Sequence, residues 1–415
     1  MSALQILHRD PGSQARAGIL RTAHGAVRTP AFVPLATKGT VKGLEPREVA
    51  ALGYDMVLGN TFHLMLDPGP ELVEHFGGLH EFMRWSSPII TDSGGFQVFS
   101  MGHGTVADEI KGRAPSGADR LGRVLSIDED GVRFRSYVDG SEKYMAPETS
   151  MEVQAALGSD LALVFDECTP FNIDRDYTAR STERTHRWLD RCLSWHADHG
   201  PDGQLVYGII QGGVHEDLRI ESTLQVAARP VDGIAIGGSL GADKPQMYDV
   251  VGWATAALGD DARPRHLLGI GDVDDLIRGV QLGVDTFDCA MPTRLGRHGV
   301  ALVPDPGKRW RVDLTAARWK LSQEPIMAGC ECPSCDAGFT RGYLRYLLRQ
   351  RELTAVRLLT VHNLAFLARL MADLRGAITA GTLGERAAAL RAGASPRGVP
   401  ASVEPAELPE LRRQR

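Results

Sequence analysis

The 415-residue sequence lacks the features of a membrane or secreted protein. No apolar run approaches the roughly 20 residues needed to cross a bilayer. The segment 1–18, MSALQILHRDPGSQARAG, has no apolar core of the kind found in signal peptides. There are only six cysteines, and 43% of the residues are hydrophobic, so a large core can be buried without disulfides. We therefore expect a cytoplasmic protein with no membrane partner.

An excess of positive charge is also missing. The chain has 46 Lys and Arg against 52 Asp and Glu, which gives a net charge of −6. This excludes a protein that binds nucleic acid through bulk attraction for phosphates, so any such contact must use a local basic patch. Two clusters could form one: Arg294, Arg297, Lys308, Arg309, Arg311, Arg318 and Lys320, and then Arg341, Arg345, Arg349 and Arg351.

Short apolar, β-branched runs alternate with helix-like stretches along the chain. Eight such runs occur, at 31–35, 55–58, 88–91, 161–165, 205–210, 233–236, 266–270 and 284–287. Helical patterns between them include 147–157, 176–196, 216–228 and 245–257. Alternating strands and helices indicate an α/β protein with a parallel sheet, and eight units predict a (β/α)8 TIM barrel. Periodicity alone leaves an open doubly wound sheet as the alternative.

Three cysteines and one histidine have the spacing of a zinc site. Cys330, Cys332 and Cys335 form a C-x-C-x2-C motif, and His362 follows in the segment TVHN. Three thiolates and one imidazole make a closed tetrahedral set, which has a structural role because no position is left for water. We expect one structural Zn²⁺ per subunit. A lone histidine can also be an ordinary core residue, so His362 is the less secure ligand.

These features divide the chain into three parts. Residues 1–300 are expected to form the catalytic barrel, with a glycine-rich loop inserted at about 101–123. Residues 301–380 are expected to form a zinc-binding subdomain and the last barrel helix, including a helical region over 341–375. The tail 381–415 is expected to be disordered, since from about residue 391 it contains four prolines among charged residues.

Polar residues follow the predicted strands. They include Asp92-Ser93-Gly94-Gly95, Asp166-Glu167-Cys168, Gln211-Gly212-Gly213, Gly237-Gly238, Gly269-Ile270-Gly271 and Asp288-Cys289. Barrels carry their chemistry at the carboxyl ends of the strands, so three carboxylates and one carboxamide should share a pocket. Neighbouring carboxylates push each other's pKa values apart, which suits displacement at an acetal-like carbon. The alternatives are that the aspartates cap helices and that the glycines merely form turns.

Eight short segments, taken in order along the chain, form a recognisable set of motifs. They are TDSGGFQV (91–98), FDECTP (165–170), YGIIQGG (207–213), IGG (236–238), RHLLGIG (265–271), FDCAMPTRLGRHG (287–299), CECPSC (330–335) and VHN (361–363). Together they resemble the bacterial tRNA-guanine transglycosylases, the queuine tRNA-ribosyltransferase family. The likeness runs from about residue 29 to residue 375, and the motifs are specific as a set although each short one is weak alone.

The resemblance implies a pentosyltransferase of queuosine biosynthesis. Such an enzyme exchanges guanine at the wobble position of tRNA with a GUN anticodon for a 7-deazaguanine, either 7-aminomethyl-7-deazaguanine or queuine. The exchange is a double displacement through a covalent enzyme–tRNA intermediate. The family also implies a homodimer in which one subunit performs catalysis while the other supports the tRNA.

The resemblance assigns roles to individual residues. The nucleophile falls on Asp288, and the residue that handles the proton of the departing and incoming bases falls on Asp92. The base-binding set falls on Ser93, Phe96, Asp166, Cys168, Gln211, Gly238 and Leu268. Arg294 and Arg297 match residues that hold phosphates of the anticodon loop, and the alternative from sequence alone is a solvated charged loop.

Four departures from the family pattern stand out. Phe96 occupies a position where many relatives have Tyr. Gly241 replaces a valine of many bacterial relatives, and Asp243 replaces a glutamate. As a hypothesis, the smaller residue enlarges the pocket near the 7-substituent and admits the bulky base queuine. The insertion at 101–123 is also longer than the family pattern predicts.

Three other functions compete with this one. A barrel hydrolase or nucleoside-processing glycosidase could use Asp92 and Asp288 with water as the acceptor. A non-catalytic RNA-binding subunit would have no need for both carboxylates and the zinc set. An archaeosine-type enzyme acting on the D-loop usually carries additional RNA-binding domains, and the polar tail here is too short to form one.

Overall fold

The computed structural model describes residues 2–100, 124–169, 171, 173–238 and 240–398. Within them the strands are β1 (Leu4–Arg9), β2 (Arg16–Thr22), β3 (Gly25–Thr29), β4 (Ala31–Pro34), β5 (Val57–Gly59), β6 (Ile89–Thr91), β7 (Val124–Ile127), β8 (Val132–Arg135), β9 (Glu142–Met145), β10 (Leu161–Leu163), β11 (Leu205–Ile210), β12 (Gly233–Ile236), β13 (Arg265–Leu267), β14 (Thr286–Cys289), β15 (Val300–Leu302) and β16 (Arg311–Asp313). The predicted insertion at 101–123 and residues 399–415 of the predicted tail lie outside the described residues.

The described helices are, in chain order, α1 (Pro46–Ala51), α2 (Thr61–Leu66), α3 (Pro70–His75), α4 (Leu79–Met83), α5 (Gly95–Ser100), α6 (Pro147–Leu157), α7 (Arg175–His199), α8 (Glu216–Ala227), α9 (Lys244–Leu258), α10 (Val273–Gln281), α11 (Met291–Arg297), α12 (Pro333–Asp336), α13 (Arg341–Gln350), α14 (Leu353–Thr379) and α15 (Leu383–Arg391). Two short 3-10 turns lie at Pro306–Lys308 and Ala317–Trp319. The four helices predicted between the strands are present, with ends that differ by a few residues at most.

Eight parallel strands form the barrel. They are hydrogen-bonded in the order β4, β14, β13, β12, β11, β10, β6 and β5. A parallel bridge between Leu35 and Leu58 joins the two outer members, where the Ala36 N–H donates to the Leu58 carbonyl at 2.7 Å. The ring is thereby nearly closed, which confirms the TIM-barrel prediction and excludes the open sheet.

The burial of the barrel strands explains why they were visible in the sequence. Every residue of β6, β10 and β12 is buried. Parallel strands covered by helices on the outside and packed side chains on the inside are buried on both faces, and so they read as continuous apolar runs. The helices between them supply the outer layer. For example, α9 is capped at its N-terminus by Asp243, whose side chain accepts the Gln246 N–H at 3.0 Å.

Two small antiparallel sheets that the sequence did not reveal flank the barrel. The sheet β1–β2–β3 lies at the amino-terminal end of the barrel strands, where the His24 N–H donates to the Asp160 carboxylate just before β10. The sheet β7–β8–β9 lies at the opposite end, where the ring of Phe134 packs 5.3 Å from that of Phe62. One sheet therefore closes the bottom of the barrel and the other forms part of its mouth.

The C-terminal region contains the ribbon β15–β16 and the helices α12 to α15. Arg351, with a φ of 60°, divides the predicted helical region 341–375 into α13 and α14. By length and composition α14 could cross a membrane, but 78% of its apolar window is buried inside the protein, as in the core helix of a soluble protein. It packs against α11 and β4 and so serves as the last barrel helix.

The structure corrects the expected start of the disordered tail at residue 381. Residues 383–391 form α15, which packs against α14. Leu383, Ala387 and Leu390 are fully buried in this contact. The spacing of these three residues is helical, and the prolines that suggested disorder begin only at Pro396.

Candidate active site

The mouth of the barrel brings the predicted polar residues together. Asp92 follows β6, Asp166 lies beyond β10, and Gln211 follows β11. Asp288 lies inside β14 rather than after it, one residue before the strand ends. Because the strands are parallel and adjacent, their carboxyl ends place these side chains around one opening.

Asp166 and Gln211 form an interlocked pair on the floor of the mouth. The Gln211 Nε2–H donates to Asp166 Oδ2 at 2.6 Å, and the Ser93 hydroxyl donates to Asp166 Oδ1 at 2.7 Å. All three side chains are buried. Burial raises the pKa of Asp166 to about 6, although the Ser93 and Gln211 hydrogen bonds oppose that rise. The pair therefore presents a polar, rigid edge inside an apolar barrel.

Asp92 is held by the residues that follow β5. Its Oδ1 accepts the Thr61 N–H at 2.9 Å, and its Oδ2 accepts a short hydrogen bond from the Asn60 side chain. Burial raises the pKa of Asp92 to about 7, and the negative charges of Asp288 and Asp166 contribute to the increase. A carboxyl group with this pKa can both donate and accept a proton near neutral pH.

The sequence analysis missed Asn60 and Thr61. Asn60 directly follows β5 and caps α2, since its Oδ1 accepts the His63 N–H at 2.9 Å. It is therefore a polar residue at the carboxyl end of a barrel strand, and the rule that selected Asp92 would have selected it as well.

Asp288 is oriented by its neighbouring strand. Its Oδ1 accepts the Gly269 N–H at 3.0 Å and lies 3.1 Å from the Nε2 of His266. Only 9% of its side chain is exposed. The carboxylate is thus nearly buried, oriented by two contacts on one oxygen, and close enough to Asp92 for their charges to interact.

Gly238 and Gly95 are required by close packing and not only by turns. Gly238 has a φ of +77°, and a Cβ there would lie 2.2 Å from Gln211 Oε1. A Cβ on Gly95 would lie 2.5 Å from the Asp166 carbonyl oxygen. These distances are far below van der Waals contact, so only glycine allows the backbone to approach the Asp166–Gln211 pair.

Buried charges support the floor of the mouth from behind. Arg219 is completely buried and donates to the carbonyls of Gly213 at 2.7 Å and Gly237 at 2.8 Å, which ties the ends of β11 and β12 together. Glu167 points away from the mouth, where it accepts the Tyr177 hydroxyl at 2.6 Å and pairs with Arg184. Neither Arg219 nor Arg184 was predicted, because both lie on helices behind the strands.

The remaining predicted base-binding residues are half-buried. Phe96 lies on α5, Cys168 follows Asp166, and Leu268 follows β13 with its side chain beside Gly237. Asp243 is exposed, and its carboxylate caps α9. A Cβ on Gly241 would lie 2.7 Å from Gln246 Oε1, so Gln246 occupies the space that a larger residue would fill.

The predicted RNA-binding arginines lie on α11, immediately after β14. Arg294 and Arg297 are exposed, and neither forms an ion pair with a described carboxylate. Partial burial, together with the charge of Arg294, lowers the pKa of Arg297. Several other members of the first basic cluster are neutralised, since Arg309 and Arg311 pair with Asp272, and Lys308 pairs with Asp305.

The four predicted zinc ligands meet in the C-terminal region. Their ligand atoms all lie within 4.8 Å of one another, and all four residues are buried. The Sγ atoms of Cys330, Cys332 and Cys335 lie 3.8, 3.5 and 3.5 Å from His362 Nδ1. Bonds of about 2.3 Å from zinc to sulfur and about 2.0 Å to nitrogen give S···N distances of about 3.5 Å in a tetrahedron. The donor set therefore fits a structural zinc ion.

His362 is oriented for that role. Its Nε2 lies 2.8 Å from the Leu302 carbonyl and donates to it, which leaves Nδ1 unprotonated and facing the three sulfur atoms. His362 lies on α14 and Leu302 on β15. The zinc site therefore joins the C-terminal ribbon to the last barrel helix.

Comparison with known proteins assigns the chain to a family. The model of the family described as Queuine tRNA-ribosyltransferase matches residues 10–394. The chain is 48% identical to the queuine tRNA-ribosyltransferase of Roseiflexus sp. (strain RS-1), over 91% of this chain and 96% of that protein. It is 45% identical to that of Symbiobacterium thermophilum, over 92% and 88%, and 43% identical to that of Thiobacillus denitrificans, over 90% and 94%.

Proposed function

Since the chain belongs to the queuine tRNA-ribosyltransferase family, we propose that its barrel mouth exchanges a guanine of tRNA for a 7-deazaguanine by double displacement. The protein is a tRNA-guanine transglycosylase, a pentosyltransferase of queuosine biosynthesis. The observation that carries the mechanism is the pair of carboxyl groups of Asp288 and Asp92, whose charges interact across the mouth. Asp288 is oriented for attack, and Asp92 has a pKa raised to about 7.

In the first displacement, a carboxylate oxygen of Asp288 attacks C1′ of the target ribose. The O–C1′ bond forms and the C1′–N9 bond breaks, with its electron pair passing to the guanine. Asp92, whose pKa is raised to about 7 by burial, supplies the proton that the departing guanine takes up. The product is a ribosyl ester on Asp288 and a neutral guanine.

The second displacement reverses these events with the new base. The incoming 7-deazaguanine gives its N9 proton to Asp92, and N9 attacks C1′ while the ester bond to Asp288 breaks. Asp92 regains the proton that it lost, and Asp288 regains its charge. The two half-reactions therefore return both carboxyl groups to their starting states.

The base lies over the Asp166–Gln211 floor. An ionised Asp166 accepts from the donors on the Watson–Crick edge of guanine, and Gln211 Nε2 and the Gly238 backbone N–H supply donors for its carbonyl oxygen. Phe96 offers a ring for stacking, and Ser93, Cys168 and Leu268 complete the pocket. Gly95 and Gly238 allow this because a larger residue at either position would clash with the floor.

The choice between the two 7-deazaguanines depends on the space near Gly241. Gln246 takes up that space, so binding of queuine would require its side chain to move. Competition between queuine and 7-aminomethyl-7-deazaguanine for incorporation into tRNA tests the hypothesis. Exclusive use of the smaller base would overturn the hypothesis that Gly241 admits queuine.

We place the anticodon loop of a tRNA with a GUN anticodon over α11. Arg294 and Arg297 are exposed and directly follow the strand that carries Asp288. Single-stranded RNA is recognised by base extrusion together with contacts from Arg to phosphate, which suits cations beside an enclosed pocket. A cytoplasmic location fits both the tRNA substrate and a zinc site that needs reduced thiols.

We propose that the protein acts as a homodimer. An aromatic surface supports this: the rings of Phe339 and Tyr343 stack at 5.8 Å, and Tyr346 is 57% exposed on the same helix as Tyr343. Leu321 is 87% exposed. It lies near the start of that helix because its neighbour Ser322 accepts the Gly342 N–H at 3.0 Å. Light scattering should give a dimer for the wild type and for a Leu224→Glu control on α8, but a monomer for Tyr346→Glu. A monomeric wild type at micromolar concentration would contradict the proposal.

The deciding experiment is incorporation of labelled guanine into unmodified tRNA with a GUN anticodon. Wild-type protein should exchange the base, Asp288→Ala should not, and a denaturing gel should show an enzyme–tRNA adduct only for proteins that retain Asp288. Loss of guanine without replacement would favour the hydrolase. No incorporation by either zinc-loaded protein would favour a non-catalytic RNA-binding subunit.

A further inference from the structure

The histidine next to the proposed nucleophile has no role in the mechanism so far. His266 is completely buried on β13. Its Nε2 lies 3.1 Å from Asp288 Oδ1, and its Nδ1 lies 2.8 Å from the Thr286 hydroxyl oxygen. Both ring nitrogens thus contact residues of the neighbouring strand β14.

The strand register produces this arrangement. His266 is paired directly with Thr286 in the parallel ladder between β13 and β14. Side chains two residues apart on a strand point to the same side, so Thr286 and Asp288 both face the imidazole ring. The imidazole ring therefore contacts both Thr286, the first residue of β14, and the carboxylate of Asp288 near the end of that strand.

These contacts determine where the imidazole proton lies. A carboxylate can only accept hydrogen bonds, so Nε2 must carry the proton that is donated to Asp288. The hydroxyl of Thr286 can donate, and it therefore satisfies an unprotonated Nδ1.

The two oxygens of Asp288 are consequently unequal. Oδ1 receives both the His266 N–H and the Gly269 N–H, whereas Oδ2 accepts no side-chain or backbone donor from the part of the chain that the structure describes. We propose that His266 is a positioning residue for Asp288, which holds Oδ1 so that Oδ2 faces C1′ and forms the covalent bond. This inference rests on the proposed role of Asp288 as the nucleophile.

The same contact should act most strongly when the ester is broken. In the second displacement the departing carboxylate recovers its negative charge, and donors already placed on Oδ1 stabilise that charge without rearrangement. Loss of the His266 donor should therefore slow release from Asp288 and leave more of the enzyme as the covalent tRNA adduct. Binding of tRNA, which uses other residues, should be unaffected.

Two variants of similar size separate positioning from packing. His266→Gln retains an N–H near the position of Nε2, whereas His266→Met fills the space without a donor. We expect His266→Met to lower kcat roughly 100- to 1,000-fold, the cost of losing one preorganised donor, with an unchanged dissociation constant for tRNA and a larger steady-state fraction of covalent adduct. His266→Gln should recover most of kcat. Zinc content and thermal unfolding, measured alongside, establish that both variants are folded.

The outcomes divide clearly. A His266→Met enzyme with the kcat of the wild type, or a His266→Gln enzyme as slow as His266→Met, would overturn the positioning role. Asp288→Ala, assayed in parallel, separates that failure from failure of the underlying mechanism. If Asp288→Ala still incorporates guanine, the nucleophile is wrong. If it is inactive while His266→Met is fully active, only the role of His266 is wrong.

Discussion

The carboxylate of Asp92 accepts the backbone N–H of Thr61 at 2.9 Å, and yet the pKa of this carboxyl group is raised to about 7. A hydrogen bond to the ionised form lowers a carboxyl pKa, whereas burial raises it. Burial has the larger effect here, and the nearby negative charge of Asp288 adds to it. The result is a group that changes protonation state in the pH range where the proposed reaction needs it.

The pH dependence of base exchange should reflect two carboxyl groups. The protonated form of Asp92 is lost as pH rises through about 7, and the ionised form of Asp166 is lost as pH falls through about 6. Exchange should therefore be fastest between these values and fall on both sides. The measurement is kcat/KM for tRNA in the guanine exchange assay, which reports the first displacement, from about pH 5 to about pH 9. A rate that rises steadily over this whole range would contradict the assignment.

Gly238→Ala should abolish most of the activity. The added Cβ would lie 2.2 Å from Gln211 Oε1, so Gln211 must move away from Asp166. Misplaced base-reading groups reduce rates about 100-fold or more. Gly259→Ala is the matched control, since Gly259 also has a positive φ of 51° but its Cβ would meet nothing within 4 Å. Steady-state kinetics on both variants should show a large loss only for Gly238→Ala; equal losses would point to backbone strain alone.

Removal of zinc should unfold the C-terminal region and lower the thermal midpoint of the protein. Cys330 and Cys332 come directly before α12, Cys335 lies on α12 and His362 lies on α14, so the ion links α14 to the segment that carries the cysteines. Structural zinc sites contribute roughly 10 kcal/mol or more of binding free energy to folding. Mass spectrometry of the metal should find one zinc per chain in the wild type and in Cys168→Ser, and none in His362→Ala. A zinc-free His362→Ala protein with an unchanged melting temperature would argue against this.

A histidine–aspartate cluster at the bottom of the barrel should make stability depend on pH. Asp160 Oδ1 lies 2.9 Å from His24 Nδ1, and Oδ2 lies 3.1 Å from His80 Nε2. Its hydrogen bond to Asp160 raises the pKa of His24 above 6.5. Although burial alone would raise the pKa of Asp160, the hydrogen bonds from His24 and His80 bring it well below 3.8.

The sign of the effect follows from these two shifts. The contribution of His24 is complete below pH 6.5 and is lost as pH rises through its raised pKa. The contribution of Asp160 is complete above pH 3.8 and is lost as pH falls through its lowered pKa. Asp160→Asn should therefore destabilise the protein most near pH 5, by roughly 2–3 kcal/mol, and less near pH 9. Urea unfolding at both pH values measures this, and an equal loss at both would rule it out.

Much of the barrel could be read from the sequence because its signals are local. Strands such as β6, β10 and β12 are buried on both faces, so their apolar runs stand out without reference to the rest of the chain. The rule that chemistry lies at the carboxyl ends of barrel strands then selected Asp92, Asp166, Gln211 and Asp288. The spacing of the C-x-C-x2-C motif likewise predicted the zinc site.

The sequence did not reveal elements whose stability comes from distant partners. The sheet β1–β2–β3 closes the barrel through contacts such as the one between His24 and Asp160, 136 positions apart. The contact of α15 with α14 was also missed, although Leu383, Ala387 and Leu390 have helical spacing, because the prolines and charges that follow them suggested disorder. Local propensity does not predict contacts between segments that are distant in the chain, since the free energy of such contacts depends on where the other segment lies.

The sequence by itself therefore determined the eight strands, most of the polar residues near their carboxyl ends and the ligand set for zinc. The tertiary structure decided which of these side chains meet. Arg219 and Arg184 support the floor of the mouth from helices behind the strands, and Asn60 becomes a partner of Asp92 only because β5 lies beside β6. The contact of His266 with Asp288 depends on the register of β13 against β14, and a shift of one residue would turn the imidazole away from the carboxylate. Register is set by the packing of the whole barrel, and for that reason no single segment of the sequence contains it.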